Sequence, residues 1–346
     1  MNFQYDGGDI YLYRSEALGS NSWEFVQIVY QMPENSPKAT SSTCEINRKV
    51  DESGDRIFIH CRRMTLVSDN GPEGTFTRLE NLNIPKMVDD VDGLERVEMK
   101  VGTASTYREG NDLYFVTSRL QVQPGPDGKT QRYMFIYKLK SNWEEVEELV
   151  TYWHWQHKEA PHIVKTGGYY YIFTSKTYGW DESPTHYLRA TSLEGFKDAT
   201  DMEVVMHPKN THSIQSMGSQ FCFLQDFGND QWMFGGRRHP HEASNLFALK
   251  YGQHVMTPAK FINGVPHVYW KESFDWQTYN YNDPDFDDHY HGGYGHSGNC
   301  KNFEGKFYLE KQNRMRNCGY ALTKTRHRCK THVELRENCP LTCGTC

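Results

Sequence analysis

The sequence predicts an all-β fold, a five-bladed β-propeller followed by a small disulfide-rich C-terminal module. Three observations lead to this prediction. A strand–turn–strand pattern recurs four times along the 346-residue chain. Aromatic residues make up 14% of the composition, which favours β structure. Six of the nine cysteines fall within residues 300–346.

The repeated unit is a hairpin with a short polar turn. Its four copies read CEINRKVDESGDRIFIHC, TASTYREGNDLYFVTS, EAPHIVKTGGYYYIFTS and SQFCFLQDFGNDQWMFGG. We place the turns at Gly54-Asp55, Asn111-Asp112, Gly167-Gly168 and Asn229-Asp230, pairs that tolerate the positive φ of two-residue turns. The turns recur after 57, 56 and 62 residues. A period of this length made only of strands is typical of one four-stranded propeller blade, because solenoid repeats are shorter and a sandwich would not repeat so regularly.

The chain ends supply the predicted fifth blade. The four repeats account for four blades. Residues 1–30 have the pattern of the outer half of another blade, and residues 258–276 have the pattern of one more hairpin. We expect these two segments to pair and close the ring, so that the propeller spans residues 1–279.

Four polar residues occupy matched places in the repeats. Each lies eight or nine positions before its turn: Glu45, Thr103, Glu159 and Gln220. In a propeller the first strand of each blade lines the central channel, so equivalent strand starts converge on one mouth of that channel. Two carboxylates across a pocket are the groups that glycoside hydrolysis requires, one to protonate the leaving oxygen and one to orient water or sugar. A solvated residue at a strand end is the competing interpretation of any one of these residues.

Aromatic side chains accompany this mouth in the pattern. They are Trp153, Trp155, Tyr178, Trp180 and Trp270. Sugar faces stack on such rings, although a single ring in a propeller more often fills the core.

The third hairpin carries a resemblance to a known family. EAPHIVKTGGYYYIFTS, followed by KTYGWDESPTHYLRATSLEGF, resembles glycoside hydrolase family 43, especially its exo-β-1,3-galactanase branch. The resemblance covers roughly residues 10–276 and implies a five-bladed propeller and inverting hydrolysis of a β-1,3-galactan-type polysaccharide. It implies that Glu159 is the general acid and Glu45 a substrate-binding glutamate. Gln220 would take the place of a missing catalytic base.

The same resemblance implies a set of substrate-binding residues and no cofactor or metal. The set comprises Tyr178, Trp180, Arg237 and Trp270. Several positions depart from the family pattern. Thr103 stands where the family has an aspartate, Gly236 and Arg238 where it has an acid and an aromatic residue, and Ile46-Asn47 where it has Arg-Pro. A catalytically inactive, carbohydrate-binding propeller is therefore the alternative function, and a structural protein of the extracellular matrix is a third class.

The C-terminal residues form a separate module in charge and composition. Residues 301–346 contain ten Lys or Arg and four Asp or Glu, and residues 280–299 read as an acidic, then His/Gly-rich linker. A short segment this rich in cysteine is typical of a disulfide framework, and a zinc site is the weaker alternative.

Residues 300–346 resemble the ShKT domain through the ending Cys-Pro-x-x-Cys-Gly-x-Cys. This likeness implies the pairs Cys300–Cys346, Cys318–Cys339 and Cys329–Cys343, where the sequence alone allows fifteen connectivities. In the first hairpin, Cys44 and Cys61 are expected to face each other as a further disulfide.

Composition excludes some partners. The net charge of −6 argues against nucleic acid, and no run of about 18 apolar residues is present to span a membrane. The expected partner is a polysaccharide, and we expect a monomer. The cysteines predict a secreted or extracellular protein, although the first residues, MNFQYDGGDI, lack the basic and apolar regions of a signal peptide.

Overall fold

The computed structural model describes residues 9–16, 22–31, 44–52, 54–62, 64–79, 82–91, 94–124, 128, 130–177, 182–206, 216–238, 253–271, 275, 279, 307–309 and 314–316. In this part of the chain the structure is almost entirely β, with one short 3-10 helix at Glu194–Asp198. The chain divides into two compact units, residues 1–175 with 186–202, and residues 176–185 with 203–346. Among the described residues, no helix has the length and apolar character needed to cross a membrane.

The described strands, in chain order, are β1 Ile10–Arg14, β2 Glu24–Tyr30, β3 Glu45–Asp51, β4 Gly54–His60, β5 Thr65–Ser68, β6 Thr77–Leu79, β7 Met87–Val91, β8 Leu94–Glu109, β9 Asp112–Gln121, β10 Arg132–Leu139, β11 Val146–His154, β12 Lys158–Thr166, β13 Tyr169–Lys176, β14 Thr185–Ala190, β15 Met202–Glu203, β16 Val205–Met206, β17 Gln220–Asp226, β18 Trp232–Arg238, β19 Gln253–Ile262, β20 Val265–Val268, β21 Phe307–Leu309 and β22 Arg314–Arg316.

Four sheets of the described chain have four or five strands each, the size of a propeller blade. Their strand orders are β3-β4-β5-β6, β7-β8-β9-β10-β11, β12-β13-β14-β15 and β16-β20-β19-β18-β17. Two further pairs, β1-β2 and β21-β22, form two-stranded sheets. The fold is all-β and propeller-like, as the repeat predicts.

The prediction of a fifth blade closed by both chain ends is wrong for the described strands. Strand β19 pairs antiparallel with β18, for example Trp232 with Ala259, and β20 folds back on β19. The segment assigned to a fifth blade therefore completes the fourth sheet. Without β19, the outer edge of β18 would carry unpaired backbone groups, so the local hairpin is the partner that satisfies them.

The predicted hairpins all form, and two of the four turns lie where the sequence places them. Gly167 and Gly168 link β12 to β13 with φ of 56° and 79°, the left-handed values that a type I′ turn needs at both positions. The turn between β8 and β9 lies one residue earlier than predicted, because Glu109 pairs directly with Asp112. Asn229 and Asp230 also have left-handed φ values, of 53° and 58°, and the Gln231 N–H donates to the Gly228 carbonyl at 3.0 Å, so this turn lies as predicted.

The core of the first unit lies between stacked sheets. In β10, Phe135 packs in a cluster with Phe58 of β4, whereas its neighbour Ile136 packs on the opposite face with Ile172 of β13. Because successive strand residues point to opposite faces, the apolar run of β10 is buried on both sides. Each large apolar side chain buried in this way stabilises the fold by roughly 1.5–3 kcal/mol.

The hairpin β1-β2 packs against the sheet of β3 to β6. Leu12 and Val29 share a buried cluster with Ile57 and Ile59 of β4. The predicted disulfide between Cys44 and Cys61 is confirmed, and it joins the residue before β3 to the residue after β4. Both sulfur-bearing side chains are buried in the same cluster.

The C-terminal module lies almost wholly outside the described residues, apart from β21 and β22. The six cysteines of the predicted ShKT-like framework and the linker 280–299 are outside the described part. Their pairing stays a prediction.

Candidate active site

Glu159 lies at a kinked strand start. It is the second residue of β12, and Ala160 after it has a φ of 53°, a left-handed value that costs a non-glycine residue about 1–2 kcal/mol. The Ala160 N–H donates to Oγ1 of Thr103 at 2.6 Å. Thr103, at the position where the family resemblance expects an aspartate, therefore holds the kink beside Glu159 instead of supplying a charge.

Two arginines set the electrostatics of Glu159. Burial raises the pKa of Glu159, while the positive charges of Arg132 and Arg62 act in the opposite direction. Burial outweighs the arginines, so the pKa of this carboxyl group is above its ordinary value. Burial thus favours the protonated form of Glu159, the form that a general acid needs.

Hydrogen bonds hold the backbone of Arg132 and the side chain of Arg62 in place. Arg132 starts β10, where its N–H donates to Oε1 of Gln156 at 2.8 Å and its carbonyl accepts from the Trp155 N–H at 3.1 Å. Burial lowers the pKa of Arg132, and the charge of Glu159 partly offsets that effect. Nε of Arg62 donates to the Val101 carbonyl at 3.1 Å.

A buried lysine anchors the residue before Glu159. Nζ of Lys158 donates to Oδ2 of Asp201 at 2.8 Å, and Nδ1 of His186 donates to Oδ1 of the same carboxylate at 2.9 Å. Burial acts to raise the pKa of Asp201, but the bonds from His186 and Lys158 outweigh it and hold that pKa well below its usual range. The ion pair ties the start of β12 to the segment that precedes β15.

Glu45 is held by donors from two other strands. Its Oε2 accepts hydrogen bonds from the backbone N–H of Thr106 at 2.6 Å and from the Thr106 hydroxyl at 2.7 Å. Its Oε1 lies 3.4 Å from Nδ1 of His162. Strands β3, β8 and β12, which belong to three different sheets, therefore meet at this carboxylate.

A chain of hydrogen-bonded polar side chains continues from the Thr106 hydroxyl that bonds Glu45. Nδ2 of Asn47 donates to Oγ1 of Thr106 at 2.9 Å and lies 3.3 Å from Nδ1 of His60. Nε2 of His60 is 3.1 Å from the carbonyl of Trp143. A carbonyl can only accept, so Nε2 carries the proton and Nδ1 accepts from Asn47.

This assignment makes His60 neutral, in agreement with its surroundings. Burial lowers the pKa of His60 to about 4, against smaller raising effects from the Trp143 carbonyl and from Glu45. Asn47 therefore donates both to Nδ1 of His60 and to Oγ1 of Thr106, and the Thr106 hydroxyl in turn donates to the carboxylate of Glu45.

Sequence reasoning missed the two residues that bond Glu45. Thr106 lies three positions after Thr103 and five before the turn residue Asn111. His162 lies three positions after Glu159 and five before the turn residue Gly167. Thr106 and His162 therefore occupy the same position in two repeats, three residues further along the first strand of each hairpin. Comparing every position of the repeat, instead of the strand starts alone, would have found them.

Gln220 and Arg237 belong to the second unit. Gln220 starts β17 and is buried, and Arg237 lies directly opposite it on β18. Gly236, where the resemblance expects an acid, has no room for a side chain, because a Cβ there would collide with the Ser219 hydroxyl. Trp270 is half-buried just after β20.

The remaining aromatic candidates separate into two groups. Trp153 and Trp155 are 8% and 6% exposed and pack with Phe196 in the core, so they do not line a sugar site. Tyr178 and Trp180 lie outside the described residues.

Solved structures with a similar fold come from family GH43. A GH43 β-1,3-galactosidase with galactodeoxynojirimycin matches with a TM-score of 0.56 and 15% identity, covering 77% of this chain and 86% of that one. The exo-β-1,3-galactanase of Phanerochaete chrysosporium with galactose matches with a TM-score of 0.53 and 16% identity. These solved structures share the fold of this chain.

The match covers 77% of this chain and 57% of the Phanerochaete protein, little more than half of its length. The exo-β-1,3-galactanase of Clostridium thermocellum matches with a TM-score of 0.50 and 17% identity, covering 76% of this chain and 59% of that one. Neither a protein-family model nor a curated protein matches the sequence. At such identities the likeness shows the fold alone.

Proposed function

We propose that the chain is a glycoside hydrolase that cleaves β-1,3-linked galactan with inversion, with Glu159 as the general acid. The observation that carries this proposal is the carboxyl group of Glu159 at the kinked start of β12, with a pKa raised by burial. The substrate class follows the printed names of the structural neighbours, which are β-1,3-galactosidases and exo-β-1,3-galactanases.

The arginines beside Glu159 suit the second half of its task. When Glu159 gives its proton to the departing oxygen, a carboxylate forms near Arg132 and Arg62. Fixed positive charges that meet a negative charge only as it develops stabilise the transition state more than the ground state. Burial keeps the proton in place before the reaction, and the guanidinium groups favour its loss during the reaction.

The other predicted roles are part of the same proposal. Gln220 as the water-orienting amide, and Tyr178, Trp180, Arg237 and Trp270 as sugar-binding residues, stay predictions from the family resemblance. Secretion and the ShKT-like module also stay predictions.

Galactose release from β-1,3-galactotriose, followed by NMR of the anomeric proton, tests the proposal. Wild type should release α-galactose first, as inversion of a β-linkage requires. Glu159→Gln should lower kcat by about 10²–10⁴-fold. Glu148→Gln, at an exposed position of β11, is the matched control and should keep the wild-type rate. Unchanged turnover in Glu159→Gln, or β-galactose as the first product, would contradict the proposal.

The alternative is a propeller that binds galactan without turnover. It is favoured by one observation, the neutral Thr103 at a position where the family resemblance expects an acid. In that case wild type binds the trisaccharide saturably in calorimetry and releases no galactose. Glu159→Gln would then leave the affinity unchanged.

A further inference from the structure

Strand β8 carries a β-bulge at the point where it meets the start of β12. The register of β8 on β9 shifts between Val101 and Ala104. Two residues of β8, Gly102 and Thr103, therefore oppose the single residue Ser118 of β9. A Cβ on Gly102 would collide with the Ser118 hydroxyl, so glycine is the residue that fits this close approach. A bulge bends its strand and re-aims a side chain, and here the re-aimed side chain is that of Thr103.

The hydroxyl group of the bulged Thr103 reaches another sheet. Its Oγ1 accepts the Ala160 N–H of β12 at 2.6 Å and lies 3.2 Å from Oγ of Ser118. Because a backbone N–H can only donate, Oγ1 is the acceptor in the first contact, and its own proton is available to Ser118. The Thr117 hydroxyl donates to the Thr103 carbonyl at 3.1 Å, so the backbone of the bulge is held as well.

Left-handed residues lie on both sides of Glu159. His157 has a φ of 61° and Ala160 a φ of 53°, values that residues other than glycine adopt only with strain. Such a conformation persists where surrounding contacts hold it, and at Ala160 the hydrogen bond to Thr103 is such a contact. Glu159 and Ala160 share a planar peptide bond, so the direction of the Glu159 side chain depends on the conformation held at Ala160.

The same strand holds the second carboxylate of the proposed function. Three residues after Thr103, the N–H and the hydroxyl of Thr106 both donate to Oε2 of Glu45. Asn47 donates to the same hydroxyl oxygen at 2.9 Å, which leaves the hydroxyl proton of Thr106 for Glu45. Strand β8 thus bonds the neighbour of Glu159 with one threonine and the carboxylate of Glu45 with another.

We propose that these two threonines of β8 are positioning residues for the hydrolysis. Thr103 directs the general acid Glu159 through the backbone of Ala160, and Thr106 orients Glu45 towards the sugar. The inference rests on the proposed function, since it assigns the supports of residues in the same reaction. The two supports act on different steps. Loss of the first impairs proton transfer and lowers kcat, whereas loss of the second impairs sugar binding and raises KM.

The first test compares Thr103→Val with Thr103→Ser on two substrates. Valine has the shape of threonine but cannot accept the Ala160 N–H, whereas serine keeps the hydroxyl. We expect Thr103→Val to lower kcat on β-1,3-galactobiose about 10–100-fold with KM nearly unchanged. On a 2,4-dinitrophenyl β-galactoside, whose leaving group needs no proton, its kcat should stay within about threefold of wild type. Thr103→Ser should keep kcat within about twofold of wild type on both substrates.

The second test is Thr106→Val on β-1,3-galactotriose. Valine removes the hydroxyl donor to Glu45 and keeps the backbone N–H. KM should therefore rise about 5–10-fold, with kcat within about twofold of wild type. Thr77→Val, at an exposed threonine of β6, is the matched control and should keep the wild-type values of kcat and KM.

The outcomes separate this inference from the proposed function. If wild type releases α-galactose and Glu159→Gln does not, but Thr103→Val keeps the wild-type kcat on the galactobiose, the positioning role fails and the proposed function stands. An equal loss on both substrates also overturns that role, because a general structural defect has the same effect. An unchanged KM in Thr106→Val overturns the assignment of Thr106. If wild type releases no galactose, the proposed function and this inference fail together.

Discussion

Nδ1 of His162 lies 3.4 Å from Oε1 of Glu45, although 117 positions separate the two residues in the chain. The contact joins the first strand of one sheet to the first strand of another within the same unit. It also decides which ring nitrogen of His162 carries the proton, because the carboxylate accepts only from an N–H.

Replacing Glu45 with glutamine should move the proton of the His162 ring to the other nitrogen. The carboxamide oxygen would still accept from Thr106, which leaves the amide N–H₂ facing His162. Nδ1 must then accept, and the ring proton moves to Nε2. Because Glu45 is a proposed substrate-binding residue and loses its charge, we expect kcat/KM on β-1,3-galactotriose to fall about 10–100-fold with the melting temperature nearly unchanged. A glutamine variant with wild-type kcat/KM would contradict this prediction.

The neutral His60 predicts a defined dependence of stability on pH. Its pKa is lowered from 6.5 to about 4 in the folded chain, so between these values the unfolded chain binds a proton that the folded chain does not. The free energy of unfolding therefore falls as pH decreases through this window, by about 3 kcal/mol in total.

Urea unfolding of wild type and His60→Gln across pH 4 to 6.5 isolates this contribution, because other titrating groups are common to both proteins. We expect the stability difference between them to shrink as the pH falls. A difference that stays constant across the window would show that His60 does not titrate abnormally.

Arg132 predicts a shift of the rate profile. Its charge lowers the pKa of Glu159, which burial has raised, so Arg132→Gln should raise that pKa further. Hydrolysis needs protonated Glu159, and the alkaline limb of kcat against pH should move up by roughly one unit. We also expect a lower maximal kcat, because the carboxylate formed in the reaction loses a nearby charge. Arg14→Gln, at an exposed ion pair on β1, is the control. A limb that stays in place or moves to lower pH would refute the proposed coupling.

The Cys44–Cys61 disulfide predicts a stability effect next to the site. It closes a loop with a sequence separation of 17, and by lowering the entropy of the unfolded chain it stabilises the fold by about 3 kcal/mol. Its two ends adjoin Glu45 and Arg62. The double variant Cys44→Ala/Cys61→Ala should unfold at lower urea than oxidised wild type, and dithiothreitol should destabilise wild type more than the variant. Equal midpoints for the two proteins would show that the bridge does not stabilise this hairpin.

The repeat pattern identified the fold but not the full strand pairing. The hairpin at Gly167-Gly168 forms as predicted because both glycines supply the required φ locally. The partner of β19 is a different kind of question. The sequence pattern predicts a hairpin in residues 258–276. The choice between β18 and the N-terminal hairpin as its partner depends on which edge lies nearest in three dimensions, and no local pattern contains that information.

The same limit applies to the candidate site. Matched strand starts indicated Glu45 and Glu159, whose equivalence is visible in the spacing to the turns. The contact of Glu45 with His162 was missed because a single histidine inside an apolar strand resembles a core residue. The burial of Trp153 and Trp155 was also hidden, since composition does not tell which face of a strand a ring occupies.

The dependence of Glu159→Gln on the leaving group tests the general acid most directly. A β-galactoside of 2,4-dinitrophenol needs no proton to depart, whereas β-1,3-galactobiose does. We expect Glu159→Gln to retain activity on the aryl galactoside within about tenfold of wild type and to lose about 10²–10⁴-fold on the disaccharide. Equal loss on both substrates, or loss on neither, would show that Glu159 does not protonate the departing oxygen.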